Sequence, residues 1–425
     1  MEYCWGLINT LEGGLAEVLG DLLPEIKPSA YSGVFPNKLA NGQGIAYIDQ
    51  QAASGSFPTL ISLAPALVYA LILGVIRMLL HHLFLKRLAL WVFRIENEEV
   101  VGEPVIEKEL NLKACNYRPS EAAVKLFCST KSKGSVSSNS SASKGNMVDL
   151  GSAVEVNTYI WRKRRKAIQN RKIVKFVEAV WRFIFYLVFE IVGYYTLVKP
   201  ELAPWLVDTT QHWEHWPLHE LSSAIKFYYQ VELGCYIHQL MWTEVSRSDA
   251  MEMMIHHITA ILLISLSYLT NYTRVGTSIL FLHDAADIFL ESAKIFNYTS
   301  KAPGRAWAKT LTDVFFATFA VIFFITRLII YPRFIVSSVL FEAPLFFGTD
   351  WIGFWIFAGL LIILQCLHVF WFYLIGRMIY RLVTTGIDKD ERSDDEDEGE
   401  DPSGGSIDGG KGKGKGKRAD TKKNK

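Results

Sequence analysis

His256 and His257 stand side by side in an apolar run, and further along the chain come His283, Asp284, Asp287, Glu291 and Lys294. A neutral imidazole is a good nucleophile and a general base near neutral pH. A carboxylate beside it fixes its tautomer and stabilises the charge it acquires. No serine occupies a nucleophile-elbow pattern, and no cysteine accompanies the histidine pair. Acyl transfer through histidine, or assisted by it, is therefore the natural chemistry. Histidines of this kind can also serve only as hydrogen-bonding links between helices. An ionisable group in an apolar bundle is costly, however, and here two histidines face two carboxylates, which favours a functional site.

Those residues need a helical hairpin to meet. With a turn near Asn271–Thr273, His256 lies about 16 residues before it and Asp287 about 15 after it. At a rise of ~1.5 Å per residue the two reach similar depth. Asp284 and Asp287 are three apart and His283 and Asp287 four apart, so they share a helix face that Glu291 and Lys294 extend. Seven stretches approach the ~20 apolar residues a span requires: Leu60–Leu80, Phe176–Val198, Leu221–Trp242, Met253–Leu269, Gly276–Phe296, Thr310–Ile330 and Gly353–Ile375. Lys86, Arg87, Arg94, the Arg162–Lys175 cluster, Arg247, Lys294, Lys301, Arg305, Lys309, Arg377 and Arg381 all fall on one side, which the positive-inside bias makes cytosolic. Seven spans then put the N-terminus in the lumen and the C-terminus in the cytosol. The fold class is an all-α integral membrane protein.

Half of the 425 residues are hydrophobic while 20% are charged, which suits a membrane domain with polar ends. The formal net charge of +1 gives no bulk attraction for nucleic acid, so no nucleic-acid partner is expected. The five cysteines (Cys4, Cys115, Cys128, Cys235, Cys366) are scattered and never in a CxxC pair, unlike a disulfide framework or zinc site. The N-terminus lacks the basic start and apolar run of a cleaved signal peptide, so the spans themselves direct membrane insertion.

The segment from His256 to Lys294 resembles the signature of the ceramide synthases of the TLC-domain family: a histidine pair, then SY, N, RxG and HDxxDxxLExxK. Its elements here are His256, His257, Ser267, Tyr268, Asn271, Arg274, Gly276, His283, Asp284, Asp287, Leu290, Glu291 and Lys294. A weaker resemblance covers about Trp161 to Arg381. It implies a six-helix TLC-type bundle preceded by one N-terminal span, in the endoplasmic reticulum membrane. The implied reaction is acylation of a sphingoid base by a fatty acyl-CoA, with acyl-CoA as substrate and no cofactor or metal. Carried to this chain, His256 takes the acyl group, Asp287 orients or deprotonates it, and His257, His283 and Asp284 support them. Alternatively His256 is only a general base and the amine attacks the thioester directly. Tyr268, Asn271, Arg274, Glu291 and Lys294 are the candidate substrate-binding residues. Membrane lipid surrounds the protein, and the assembly expected is a homodimer or heterodimer.

The organisation that follows is a luminal segment over 1–56, a first transmembrane helix over 57–94, and a cytosolic loop over 95–160 with a Ser-rich linker at Lys131–Lys144. The catalytic domain spans 161–381, and 382–425 is a disordered cytosolic tail, acidic then basic. Basic residues of Arg162–Lys175 could attract the phosphates of CoA at the cytosolic face. Tyr331–Asp350, with Pro332 and Pro344, reads as a luminal loop that the resemblance ties to acyl chain length. Ser393 before Asp394 and Asp395 is a phosphorylation candidate. Lys422 and Lys423 stand in the dilysine retrieval position.

Two rival readings have their own residues. His212, His215 and His219 have ligand-like spacing, as in a membrane di-iron oxygenase, although no HxxHH box occurs. A TLC-domain protein that only binds lipid need not keep both the histidine pair and HDxxD.

Overall fold

Apolar backbone that crosses a bilayer must satisfy its own hydrogen bonds, and an α-helix does so within one segment. A computed structural model describes residues 27–36, 43–54, 57–94, 153–198, 204–219, 221–242 and 249–385. These residues form helices and no strands. The Ser-rich linker at 131–144, Ser393, Lys422, Lys423, and most of the loop and tail that contain them lie outside the described residues.

After a short 3-10 turn at Pro28–Val34 come α1 (Gln43–Ala53), α2 (Leu60–Phe93), α3 (Ala153–Gly193) and α4 (Ser223–Met241). Then follow α5 (Ala250–Leu269), α6 (Thr273–Ser300), α7 (Ala308–Phe347) and α8 (Ile352–Thr385). By length and composition α2, α5, α7 and α8 are apolar enough to cross a membrane. One face of each keeps large apolar side chains on the outside, such as Leu71, Leu83, Ile258, Val321, Trp355 and Val369. That is expected where lipid, not water, is the surrounding solvent. Helices α4 and α6 turn Glu232, His283, Asp284 and Glu291 into the bundle, and α5, α7 and α8 add His257, Arg327 and His368.

α3, α6, α7, α8, α5 and α4 pack side by side in that order, and α2 lies against α4 and α3. Local signals set the starts. Thr59 and Ser62 form a reciprocal capping box at α2, and the Ser222 hydroxyl accepts from Ile225 N–H at α4.

The segment Tyr331–Asp350 is not the loop that its two prolines predict. α7 continues through it to Phe347, and only Gly348–Trp351 connects to α8. Pro332 has no N–H to donate, but it lies in a stretch of wide π-helical turns (Phe324–Val336), where Ser337 N–H reaches the Pro332 carbonyl five residues back. Proline is tolerated because the ladder is already shifted.

One end of the bundle is closed by aromatic packing. Phe35, Phe57, Trp213, Trp216, Tyr272 and Trp351 form one buried cluster. The Trp216 indole donates to Thr270 O at 2.8 Å and stacks on Trp351, and the Trp213 indole donates to Ser338 Oγ at 2.9 Å. The segment 204–219 thus lids the α5–α6 hairpin.

Candidate active site

The hairpin turns at Thr270–Tyr272. Asn271 takes the left-handed conformation (φ 57°), which asparagine tolerates. Its amide donates to Pro217 O at 2.7 Å and His219 O at 3.0 Å, so the turn and the lid are tied together. Arg274 donates to Gln211 O (2.5 Å) and Glu214 O (3.2 Å) and lies over the Trp205 ring. The Tyr268 hydroxyl pairs with Ser62 Oγ at 2.9 Å. These three candidate binding residues therefore sit at the capped end, with polar atoms engaged by protein.

The histidines lie deeper in the bundle. His256 and His283 both line a mainly apolar cavity with Tyr229, Tyr236, Ser267 and Leu364, leaving about 20 Å³ free, room for a water-sized occupant. The His256 ring is 5.2 Å from Trp371, 5.4 Å from His257 and 6.3 Å from Tyr236, centroid to centroid. Its Nδ1 is buried without a hydrogen-bond partner.

His283 is held more tightly. Nδ1 lies 2.7 Å from the Ile279 carbonyl, which only accepts, so that nitrogen carries the proton. Its Nε2 lies 3.0 Å from His368 Nε2, so the two rings share a hydrogen bond. Arg327 from α7 braces the pair. Its Nη2 donates to His283 O at 2.5 Å and contacts Asp287 Oδ2 at 3.4 Å, and its Nη1 is 3.4 Å from His368 Nε2. The partner the structure gives Asp287 is thus Arg327.

Asp284 points to the other side of α6. It meets Glu232 of α4 carboxyl to carboxyl, and Glu190 of α3 is within electrostatic reach. Glu291 and Lys294 pair at 2.7 Å, and Arg182 of α3 reaches Glu291 at 3.8 Å. Of the residues singled out in the sequence, the structure brings His256 and His283 to one cavity with His257 beside His256, links Asp287 to His283 through Arg327, and turns Asp284 toward Glu232. It places Glu291 and Lys294 in an ion-pair ladder one to two turns further along α6.

Glu232, Arg327 and His368 were missed as site residues. Each is an ionisable residue in an apolar run (YYQVELGCY, ITRLIIYP, QCLHVFW), a signal that the cost of charge in lipid makes readable without any motif.

The oxygenase spacing does not converge. His212 Nε2 pairs with Ser278 Oγ and His219 Nε2 with Thr273 Oγ1, each at 3.2 Å, while His215 is exposed beside Glu214. His212 and His219 lie in the lid outside the spans. Burial, helped by the Arg274 charge, pushes them down to about 4 and about 3. Among the described residues no group of three or more His, Cys, Asp or Glu side chains is arranged to hold a metal.

These features define a multi-pass, all-helical membrane protein with an imidazole-lined cavity and a polar layer inside its bundle. The profile of the TLC domain matches residues 175–377. Human ceramide synthase 5 is 39% identical over 243 residues, covering 56% of this chain and 59% of that protein. Human ceramide synthase 3 is 38% identical over 240 residues, covering 56% and 60%. Ceramide synthase LOH2 of Arabidopsis thaliana is 35% identical over 245 residues, covering 56% of this chain and 79% of that protein. The chain belongs to the ceramide synthase family of TLC-domain proteins. It spans about three-fifths of the length of the animal relatives it matches.

Proposed function

We propose that the chain is a sphingoid base N-acyltransferase, moving a fatty acyl group from acyl-CoA to the amine of a sphingoid base. The observation that carries this reading is His256, whose Nδ1 is buried without a partner and whose ring lines the cavity, in a chain of the ceramide synthase family. In the first half-reaction a ring nitrogen lone pair attacks the thioester carbon and the C–S bond breaks. The sulfur takes the proton released from the ring, giving an acyl-imidazole and free CoA thiol. The sphingoid amine then attacks the acyl carbon, the C–N bond to imidazole breaks, and the ring recovers a proton from the amine nitrogen.

Asp287 acts through Arg327, which holds the His283–His368 pair against the same cavity; His257 and Asp284 pack around it. In the alternative mechanism His256 only accepts the amine proton and the amine attacks the thioester itself. An acyl adduct on the protein separates the two. The bundle crosses the endoplasmic reticulum membrane seven times, α2 to α8, with the C-terminus cytosolic.

Microsomes lacking their own ceramide synthases, supplied with a sphingoid base and mixed acyl-CoAs, test the reading by mass spectrometry of N-acylated products. Product is expected from the parent chain, reduced about 100-fold or more in His256→Ala and strongly in Asp287→Ala at equal expression. A folded parent that makes no product overturns the activity, and product surviving His256→Ala overturns the nucleophile.

A further inference from the structure

The acyl-transfer scheme above leaves one demand unmet. A sphingoid amine is an aliphatic amine and, like lysine with a pKa of about 10, is protonated at neutral pH. An ammonium has no lone pair and cannot attack an acyl carbon. Something must hold the cation near His256 and remove its first proton.

Three carboxyls on three helices answer that description. Glu232 (α4) is 1% exposed and Asp284 (α6) 4% exposed, and they face each other, with the half-buried Glu190 (α3) within electrostatic reach of both. Glu232 Oε1, Asp284 Oδ2 and Glu190 Oε2 are each buried with no hydrogen-bond partner. The buried Tyr228 hydroxyl lies against the Glu232 carboxyl. The cationic side chains of the layer are spent elsewhere: Arg327 on Asp287 and the histidine pair, Arg182 and Lys294 on Glu291. Carboxyl oxygens left without a donor in an apolar bundle are costly to keep, so the arrangement fits a visiting cation better than a structural core. The cluster adjoins the acyl site. Tyr236 lies next to both Glu232 and Asp284, and its ring is 6.3 Å from that of His256.

We propose that Glu232, with Asp284, binds the ammonium end of the long-chain base beside His256 and accepts its first proton. This rests on the N-acyltransferase reading and adds the amine site to it. The N–H bond breaks toward a carboxylate oxygen, leaving a neutral amine whose lone pair forms the amide bond. The second amine proton goes to the departing imidazole, and the carboxyl later returns its proton to solvent.

The test uses the full chain in lipid nanodiscs, with octadecylamine and octadecanol as competitors against a C18 sphingoid base. In the parent, octadecylamine should compete about tenfold or more better than octadecanol. In Glu232→Gln the apparent KM for the base should rise about tenfold or more at neutral pH, with the KM for acyl-CoA unchanged. Raising the pH to about 9, where more base is uncharged, should recover part of the rate. A folded Glu232→Gln with parental KM for the base overturns the proposal. If that variant does not fold, the parent alone decides, because equal competition by the amine and the alcohol is incompatible with an ammonium site. A parent that makes no N-acylated product fails the N-acyltransferase reading instead, and amine-over-alcohol preference can still be read by thermal stabilisation.

Discussion

His212 and His219 have their ring nitrogens on Ser278 and Thr273, and both are buried in the lid with Arg274 nearby. Folded, they resist protonation until about pH 4 and about pH 3, against an ordinary value of 6.5. Below pH 6.5 the unfolded chain therefore takes up protons that the folded chain refuses. Stability is complete above about pH 6.5 and falls as pH drops toward 4, by up to about 1.4 kcal/mol per pH unit for each histidine. Thermal unfolding of detergent-solubilised protein should show a lower midpoint at pH 5 than at pH 7, and His212→Asn/His219→Asn should flatten that difference. An undiminished drop in the double variant would assign it to other groups. Residues of this kind were legible only in part. His256, His257, His283, Asp284 and Asp287 announce themselves because they recur at helical spacing within one hairpin. Arg327 and His368 reach His283 from 44 and 85 positions away. Nothing local in the sequence links them to it; only the packing of α7 and α8 against α6 does.

The hairpin of α5 and α6 depends on one close approach. A Cβ on Gly276 would lie 1.7 Å from the Tyr229 hydroxyl and 2.9 Å from Ser267 Oγ. That hydroxyl bonds Ser267 Oγ and Thr273 O, each at 3.2 Å, and so pins α4 to the first turn of α6. Gly276→Ala must displace the tyrosine, at a cost of about 1–3 kcal/mol. Tyr229→Phe, which removes the atom the new methyl meets first, should recover part of it. A double-mutant cycle on unfolding free energy checks this, and strictly additive costs would mean the two sites do not touch. The hairpin itself was readable from sequence, because Asn271 and the apolar runs on either side mark a turn between two helices. The path of α7 was not. Pro332 and Pro344 are ordinary signs of a helix end, and the wide turns that carry the helix past Pro332 have no distinct residue signature.

At the scale of the molecule the least apolar helices decide the topology. α4 carries Gln230, Glu232 and His238, and it is not among the helices that qualify as spans by composition. Yet those three side chains are buried against neighbouring helices, while its 19 residues give a length of ~28 Å, close to the ~30 Å of a hydrocarbon core. Once its polar face is covered by protein, hydropathy no longer measures what lipid touches. α4 is therefore expected to cross, which puts Val207 and Trp242 on opposite sides, and the two further crossings of α5 and α6 return Trp307 to the side of Trp242. The lysine and arginine bias makes the Trp242 and Trp307 side cytosolic. Val207, Trp242 and Trp307 are all exposed, so each can be replaced by cysteine in a chain stripped of its native cysteines. A membrane-impermeant maleimide added to sealed microsomes should label Trp242→Cys and Trp307→Cys at once, and Val207→Cys only after detergent. Labelling of Val207→Cys and Trp242→Cys together would mean that α4 does not cross. In that case Glu232 would lie on a helix that dips into the bundle from one side, and the amine site would open to that compartment instead of the membrane interior.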